Sequence, residues 1–100
     1  MEKKAMFTDA EINSIAKRFK VLSEPSRLKI LRALTSGEKC VTDIIEQTGL
    51  LQANVSKQLK ILESDNVVFC RPAGLQRFYR IEDPSVMQIC SKVCAAKGSK

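Results

Sequence analysis

Between Val41 and Ser64, two short runs of helical periodicity are separated only by Gly49, Leu50 and Leu51. The first, Val41 to Thr48, turns Ile44 and Ile45 inward and ends at Gly49, the residue type that most readily closes a helix in a left-handed conformation. The second, Gln52 to Ser64, carries Val55, Leu59 and Leu62 at i, i+4 and i+7, a single apolar stripe. Two short amphipathic helices joined by so tight a turn have the length and pattern of a helix-turn-helix. The rest of the chain must supply a fold that supports this crossing.

The flanking segments read accordingly. Thr8 with Glu11 three residues on makes a capping box, T-D-A-E, and predicts a first helix over 8–22 with Ile12, Ile15, Ala16 and Phe19 at helical spacing. Ser23-Glu24-Pro25 ends it, and Pro25 opens a second helix at a position where its missing N–H is no loss. Leu28, Ile30, Leu31 and Leu34 form the core of that helix, with Gly37 as its C′ residue. After Asp65-Asn66, the β-rich runs Val67 to Cys70 and Phe78 to Ile81 flank Pro72-Ala73-Gly74 and predict a hairpin over 67–81. Asp83-Pro84 then opens a last helix over 84–95, with Val86, Ile89, Cys90, Val93 and Cys94 on one stripe. The expected fold is a single mainly α domain, 1–100, of five helices and a two-stranded hairpin, with the helix-turn-helix at 41–64. There is no internal repeat and no low-complexity segment beyond the short tail Ala95 to Lys100.

A chain of 100 residues buries a modest core. The apolar stripes at its two ends have little core left to cover, so a homodimer joined through the first and last helices is expected. The excess of 17 basic over 11 acidic residues, a net charge of +6, suits a polyanion, either nucleic acid or an anionic membrane surface. No apolar run approaches the ~20 residues of a membrane span. The charged start, Met1 to Lys4, leads into no secretory apolar segment. The expectation is a cytoplasmic protein without a membrane partner, its four cysteines reduced thiols. Histidine is absent, which removes Ser-His-Asp and Cys-His catalysis and imidazole zinc sites. With no glycine-rich phosphate loop either, the chain does not read as an enzyme.

The polar side of the second short helix does carry chemistry. Ala53, Ser56, Lys57 and Lys60 face away from the buried stripe, and Gln52 stands at the exposed N-terminal end. A major groove accepts a helix whose N-terminal side chains reach base edges; Asn and Gln pair with adenine, Lys with guanine or phosphate. Directly afterwards the hairpin adds Arg71, Gln76, Arg77 and Arg80, a wing suited to the DNA backbone or a minor groove. The expected partner is double-stranded DNA, palindromic to match a two-fold dimer. Two alternatives stay open: a module that binds DNA with no small-molecule effector or responds to thiol oxidation, and a protein- or RNA-binding domain on the same fold.

"FKVLSEPSRLKILRAL" (Phe19 to Leu34), "CVTDIIEQTGLLQANVSKQLKIL" (Cys40 to Leu62) and "GLQRFYRI" (Gly74 to Ile81) together resemble the ArsR/SmtB family of metalloregulatory repressors, in family order and spacing over most of the chain. The resemblance implies winged-helix homodimers with the first and last helices at the interface, no required cofactor, and release of operator DNA when an effector binds. Carried over by position, Gln52, Asn54, Ser56 and Lys57 match the recognition helix, and Arg71 and Arg77 match the wing. The histidine the family often has near Lys57 and Gln58 is missing here, which leaves base preference open.

The cysteines depart from the family's known sensors. Its soft-metal motif E-L-C-V-C-D reads Glu38-Lys39-Cys40-Val41-Thr42-Asp43 here, so the first cysteine is kept and the second is threonine. The histidine-carboxylate zinc site of the last helix cannot form, and Arg32 stands where persulfide-sensing relatives carry cysteine. Cys90 and Cys94 remain, four apart on the last helix and able to face one soft ion. They read either as small buried hydrophobes or as the core of a site for As(III) or Sb(III), the third thiolate coming from Cys40, Cys70, a partner chain or an external thiol. A disulfide between them is disfavoured, because Cβ atoms one helical turn apart are ~5–6 Å from each other and a disulfide needs ~3.5–4.5 Å.

Overall fold

The computed structural model describes residues 6–96, which form helices α1 (Asp9–Val21), α2 (Pro25–Leu34), α3 (Val41–Thr48), α4 (Gln52–Ser64) and α5 (Ser85–Ala96), and strands β1 (Lys39–Cys40), β2 (Val68–Ala73) and β3 (Gln76–Ile81). The charged start Met1 to Lys4 and the tail beyond Ala96 lie outside the described residues.

Local chemistry sets most of the boundaries. Thr8 caps α1 through the full capping box: its hydroxyl accepts from the Glu11 amide (3.1 Å), and the Glu11 carboxylate accepts from the Thr8 amide (2.9 Å). Glu24 caps α2 by accepting from the Arg27 amide at 3.3 Å, with Pro25 in the first turn. Gly49 closes α3 at φ +73°, where a side chain would be strained. The Thr48 hydroxyl secures that corner by donating to Ile44 O (2.8 Å) and accepting from the Leu50 amide (3.2 Å). Gly37 falls farther from the end of α2 than the C′ position: Thr35 is the cap, and Gly37 N–H reaches back to Leu34 O at 3.1 Å.

The core lies where α2 packs on α3, α4 and β3, and α4 on β2. Ile30, Leu31, Ile44, Val55, Leu59, Leu62, Val67 and Val86 are fully buried there. Burial of each such side chain contributes about 1.5–3 kcal/mol. Leu28 departs from the expected core of α2 and stays partly exposed against α5.

The sheet holds one strand more than the expected two-stranded wing. Its order is β1-β3-β2, with Lys39 opposite Tyr79 and Cys40 opposite Phe78. A two-residue strand is too short to show alternation, so the sequence carries no sign of it. The hairpin turn also shifts: Pro72 and Ala73 belong to β2, and Gly74 and Leu75 make the turn, Gly74 at φ +63°. Pro72 is tolerated because β2 is an edge strand, where a missing N–H breaks few ladder bonds.

The two terminal helices are attached more loosely. Of α1, Val21 alone is buried, while Ile12, Ile15 and Phe19 are exposed. Val86 anchors the start of α5, Ile89 and Cys90 are half-buried, and Val93 is exposed. An ion pair between Arg18 and Asp83 ties the two helices together. The long axis of 57 Å and the radius of gyration of 15.7 Å reflect this extension, against about 13 Å for a compact chain of this size.

Candidate nucleic-acid interface

The apolar stripe of α4, Val55, Leu59 and Leu62, is fixed in the core. That anchoring turns Gln52, Ala53, Ser56, Lys57 and Lys60 to solvent, as their spacing predicts. No side chain caps the start of α4 at Leu51, so its first-turn amides are not claimed by a local side chain. Gln52 and Ser56 line one cleft with Cys40 and Thr42 from the start of α3 and with Gln76 and Arg77 from the wing. The structure therefore brings α4 and wing residues that the sequence reading assigned to DNA into one cleft, together with the start of α3, which that reading did not assign to DNA.

Asn54 departs from that group. It is half-buried, and its amide is engaged at both ends: Nδ2 donates to Ser26 Oγ (3.1 Å) and Oδ1 accepts from Gln58 Nε2 (2.9 Å). Its place on the inner flank of α4, one residue before Val55, turns it towards α2 rather than to the open face. Gln58 was not singled out from sequence, yet it is buried, 6% exposed, and holds α4 to α2 by accepting from Arg27 Nη1 at 2.9 Å. Its position between Val55 and Leu62, next to Leu59, was the available signal: a polar side chain inside an apolar stripe.

The wing arginines differ in their surroundings. Arg71 forks onto Glu38 through Nε and Nη2, both at 2.9 Å, and stacks over the Phe78 ring at 4.9 Å. The fork holds the Glu38 carboxyl below its usual range. Arg80 lies over Phe69 at 4.5 Å and pairs with Glu82 at 3.1 Å. Among the described residues no carboxylate pairs with Arg77, whose Nη1 sits 3.4 Å from Cys70 Sγ. Beside it, burial first and then the contact with Cys70 push the Tyr79 hydroxyl up to about 12, so it is a neutral phenol at physiological pH. Arg77 and Gln76 are the wing side chains that share a cleft with Gln52 and Ser56 of α4.

The cysteines fall into two groups. Cys40 and Cys70 are buried near the wing, Cys40 on the cleft beside Arg77. Cys90 and Cys94 line an apolar groove with Phe19, Leu22, Leu28 and Val93. No three Cys, His, Asp or Glu side chains among the described residues come together as a metal-holding group. Within one chain Cys40, grouped with Cys90 and Cys94 as a candidate ligand, lines a different cleft from them, because the helix-turn-helix fold commits it to the start of α3.

Comparison with known proteins places this geometry among regulators. Residues 24–68 match the family model described as bacterial regulatory protein, arsR family. A transcriptional repressor SmtB homolog of Synechocystis is 34% identical over 83 residues, 83% of this chain and 63% of that protein. The chain thus spans somewhat under two thirds of that relative. Among solved structures, an AntR antimony-specific transcriptional repressor superposes with a TM-score of 0.85 at 32% identity, over 99% of this chain and 91% of that one. A homodimeric winged helix-turn-helix DNA-binding domain from Mycobacterium bovis, a possible ArsR-family regulator, superposes at 0.77 with 30% identity over 95% and 91%.

Proposed function

The chain belongs to the arsR family of bacterial regulatory proteins, winged helix-turn-helix DNA-binding transcription factors and not enzymes, and from that premise we propose that it is a repressor that binds a palindromic operator as a homodimer and leaves it when a thiophilic ion binds. The observation that carries the DNA part is the shared cleft: Gln52 and Ser56 of α4 beside Gln76 and Arg77 of the wing. In this reading α4 enters a major groove, with Gln52, Ser56 and Lys57 at base edges and Lys60 on phosphate, while Arg77 follows the backbone or the minor groove. Two such helices in a C₂ dimer address half-sites about one helical turn apart, ~34–36 Å.

The effector part rests on Cys90 and Cys94. They lie one turn apart on α5 and line the same groove, and thiolates suit As(III) and Sb(III). The pair fits such an ion in ligand type and is one thiolate short of three; the partner subunit or an external thiol completes the set. An ion there would act on α5 beside the exposed apolar surface, and so on the spacing of the two α4 helices. The antimony-specific structural relative supports this choice of ion.

The test is fluorescence anisotropy on a duplex that the protein itself enriches from a random pool, followed by titration with arsenite and antimonite. Salt-dependent binding and release by either ion is expected, with Cys90→Ser and Cys94→Ser staying bound. Wild type that remains bound, or variants that release as readily, removes the metal effector and leaves a DNA-binding regulator. Failure to enrich any duplex removes the DNA reading itself.

A further inference from the structure

Gln58 is a buried amide, 6% exposed, set within an apolar core. It lies at the centre of a connected set of hydrogen bonds. Arg27 donates from Nε to Val21 O, the last residue of α1, at 2.6 Å, and from Nη1 to Gln58 Oε1 at 2.9 Å. Gln58 Nε2 donates to Asn54 Oδ1 at 2.9 Å, and Asn54 Nδ2 to Ser26 Oγ at 3.1 Å. One side chain of α2 thus holds both the end of α1 and the inner face of α4.

The polarity of this set is fixed from one end. Arginine only donates, so Gln58 must turn its oxygen to Arg27 and its amide nitrogen to Asn54. Asn54 must then present its oxygen to Gln58 and its nitrogen to Ser26. A flip of either amide would set donor against donor. Apolar packing by Val55, Leu59 and Leu62 resists lifting α4 off the core, but such contacts are non-directional and resist rolling about the helix axis less well. A directional set whose origin lies on another helix supplies that restraint.

We infer that Arg27 is a positioning residue for DNA recognition, which through Gln58 fixes the roll of α4 relative to the end of α1. This rests on the reading that α4 enters the groove. A fixed roll presents Gln52, Ser56 and Lys57 to the bases in one register. Phosphate contacts tolerate a small roll, because they need charge near the backbone more than a defined angle. Loss of the set therefore lowers affinity for the preferred sequence more than affinity for DNA in general.

The experiment compares the full-length wild type with Arg27→Lys and with the double variant Arg27→Met, Gln58→Leu. Lysine keeps the charge but cannot span Val21 O and Gln58 with one fork. The double variant removes both partners of the Arg27–Gln58 bond together, so that neither of the two is left facing an unmatched one, while Val21 O and Asn54 Oδ1 lose their donors. Binding is measured to the duplex that wild type enriches from a random pool and to an unselected duplex. Expected is a loss of about tenfold on the selected duplex in both variants, equivalent to about 1.4 kcal/mol, and less than about twofold on the unselected one. Equal losses on both duplexes, or variants that discriminate as well as wild type, would reduce Arg27 to a structural residue and overturn the inference. Lack of discrimination by wild type would instead overturn the DNA reading, and the wild-type arm alone reveals that.

Discussion

The molecule exposes two surfaces of opposite chemistry. One, on α4 and the wing, presents Gln52, Ser56, Lys57, Lys60, Gln76 and Arg77. The other, on α1 and α5, presents Ile12, Ile15, Phe19 and Val93. Water solvates the first at no cost, so its exposure alone says nothing; its meaning comes from the convergence of three segments on one cleft. The second is costly to leave in water, by about 25 cal/mol for each Å², and calls for a cover. A second copy of the same helices is the simplest one, and a structural relative at 30% identity is homodimeric. The difference teaches that an apolar surface announces a partner by its energy, and a polar one only by its arrangement.

The sharpest way to break the comparison is to put a charge on the apolar surface. Phe19→Asp places an unpaired carboxylate in each half of the expected interface, at about 3 kcal/mol or more for each one left buried. Sedimentation should show a monomer whose circular dichroism stays helical, because Phe19 lies outside the buried core, to which α1 contributes Val21. Affinity for a two-half-site duplex should fall by more than a hundredfold. A variant that still sediments as a dimer would place the interface elsewhere.

On the polar surface the expected effects are smaller and divide by type. Gln52→Ala should narrow the gap between selected and random duplex by about 1–3 kcal/mol, the worth of one bidentate base contact. If competition binding shows the gap unchanged, Gln52 does not read bases. Arg77→Ala should weaken binding to every sequence and lower the slope of log affinity against log salt by about one unit. Arg71→Ala should change that slope less, because Glu38 already forks onto Arg71. Equal slopes for the two variants would make the pairing irrelevant to DNA.

The smallest effect concerns the joint between the surfaces. Asp83 accepts from the Ser85 hydroxyl (2.6 Å) and amide (3.0 Å) and faces Arg18. The Ser85 hydrogen bond, then Arg18, hold its carboxyl below the usual range. A depressed carboxylate contributes stability that is fully present above its unfolded value and is lost as pH falls through its folded value. Asp83→Asn should therefore melt somewhat lower than wild type at neutral pH and converge with it in acid. Thermal melts across pH test this; parallel curves would show that the joint carries no charge-dependent stability.

Much of this was legible in the chain itself. The capping box at Thr8, Pro25 at the start of α2, Gly49 between the two short helices and the stripe Val55, Leu59, Leu62 are local signals, and each element stands where its signal placed it. The exposure of Gln52, Ser56, Lys57 and Lys60 follows from that stripe by helical geometry alone. The brief strand β1 escaped because two residues carry no period, and the hairpin turn moved because an edge strand accommodates Pro72.

What the tertiary structure decided were relations between segments distant along the chain. Asn54 shares the sequence neighbourhood of the exposed residues Gln52, Ser56 and Lys57, but Ser26 and Gln58 claim its amide. Cys40 has the same thiol as Cys90 and Cys94, yet it lines a different cleft. Arg27 and Gln58 look like ordinary helix polar residues until α2 and α4 are packed and one donates to the other. Periodicity and caps are properties of neighbours along the chain, so the sequence states them directly. Hydrogen-bond partners are chosen by which helices meet, and that choice exists only once the core has closed.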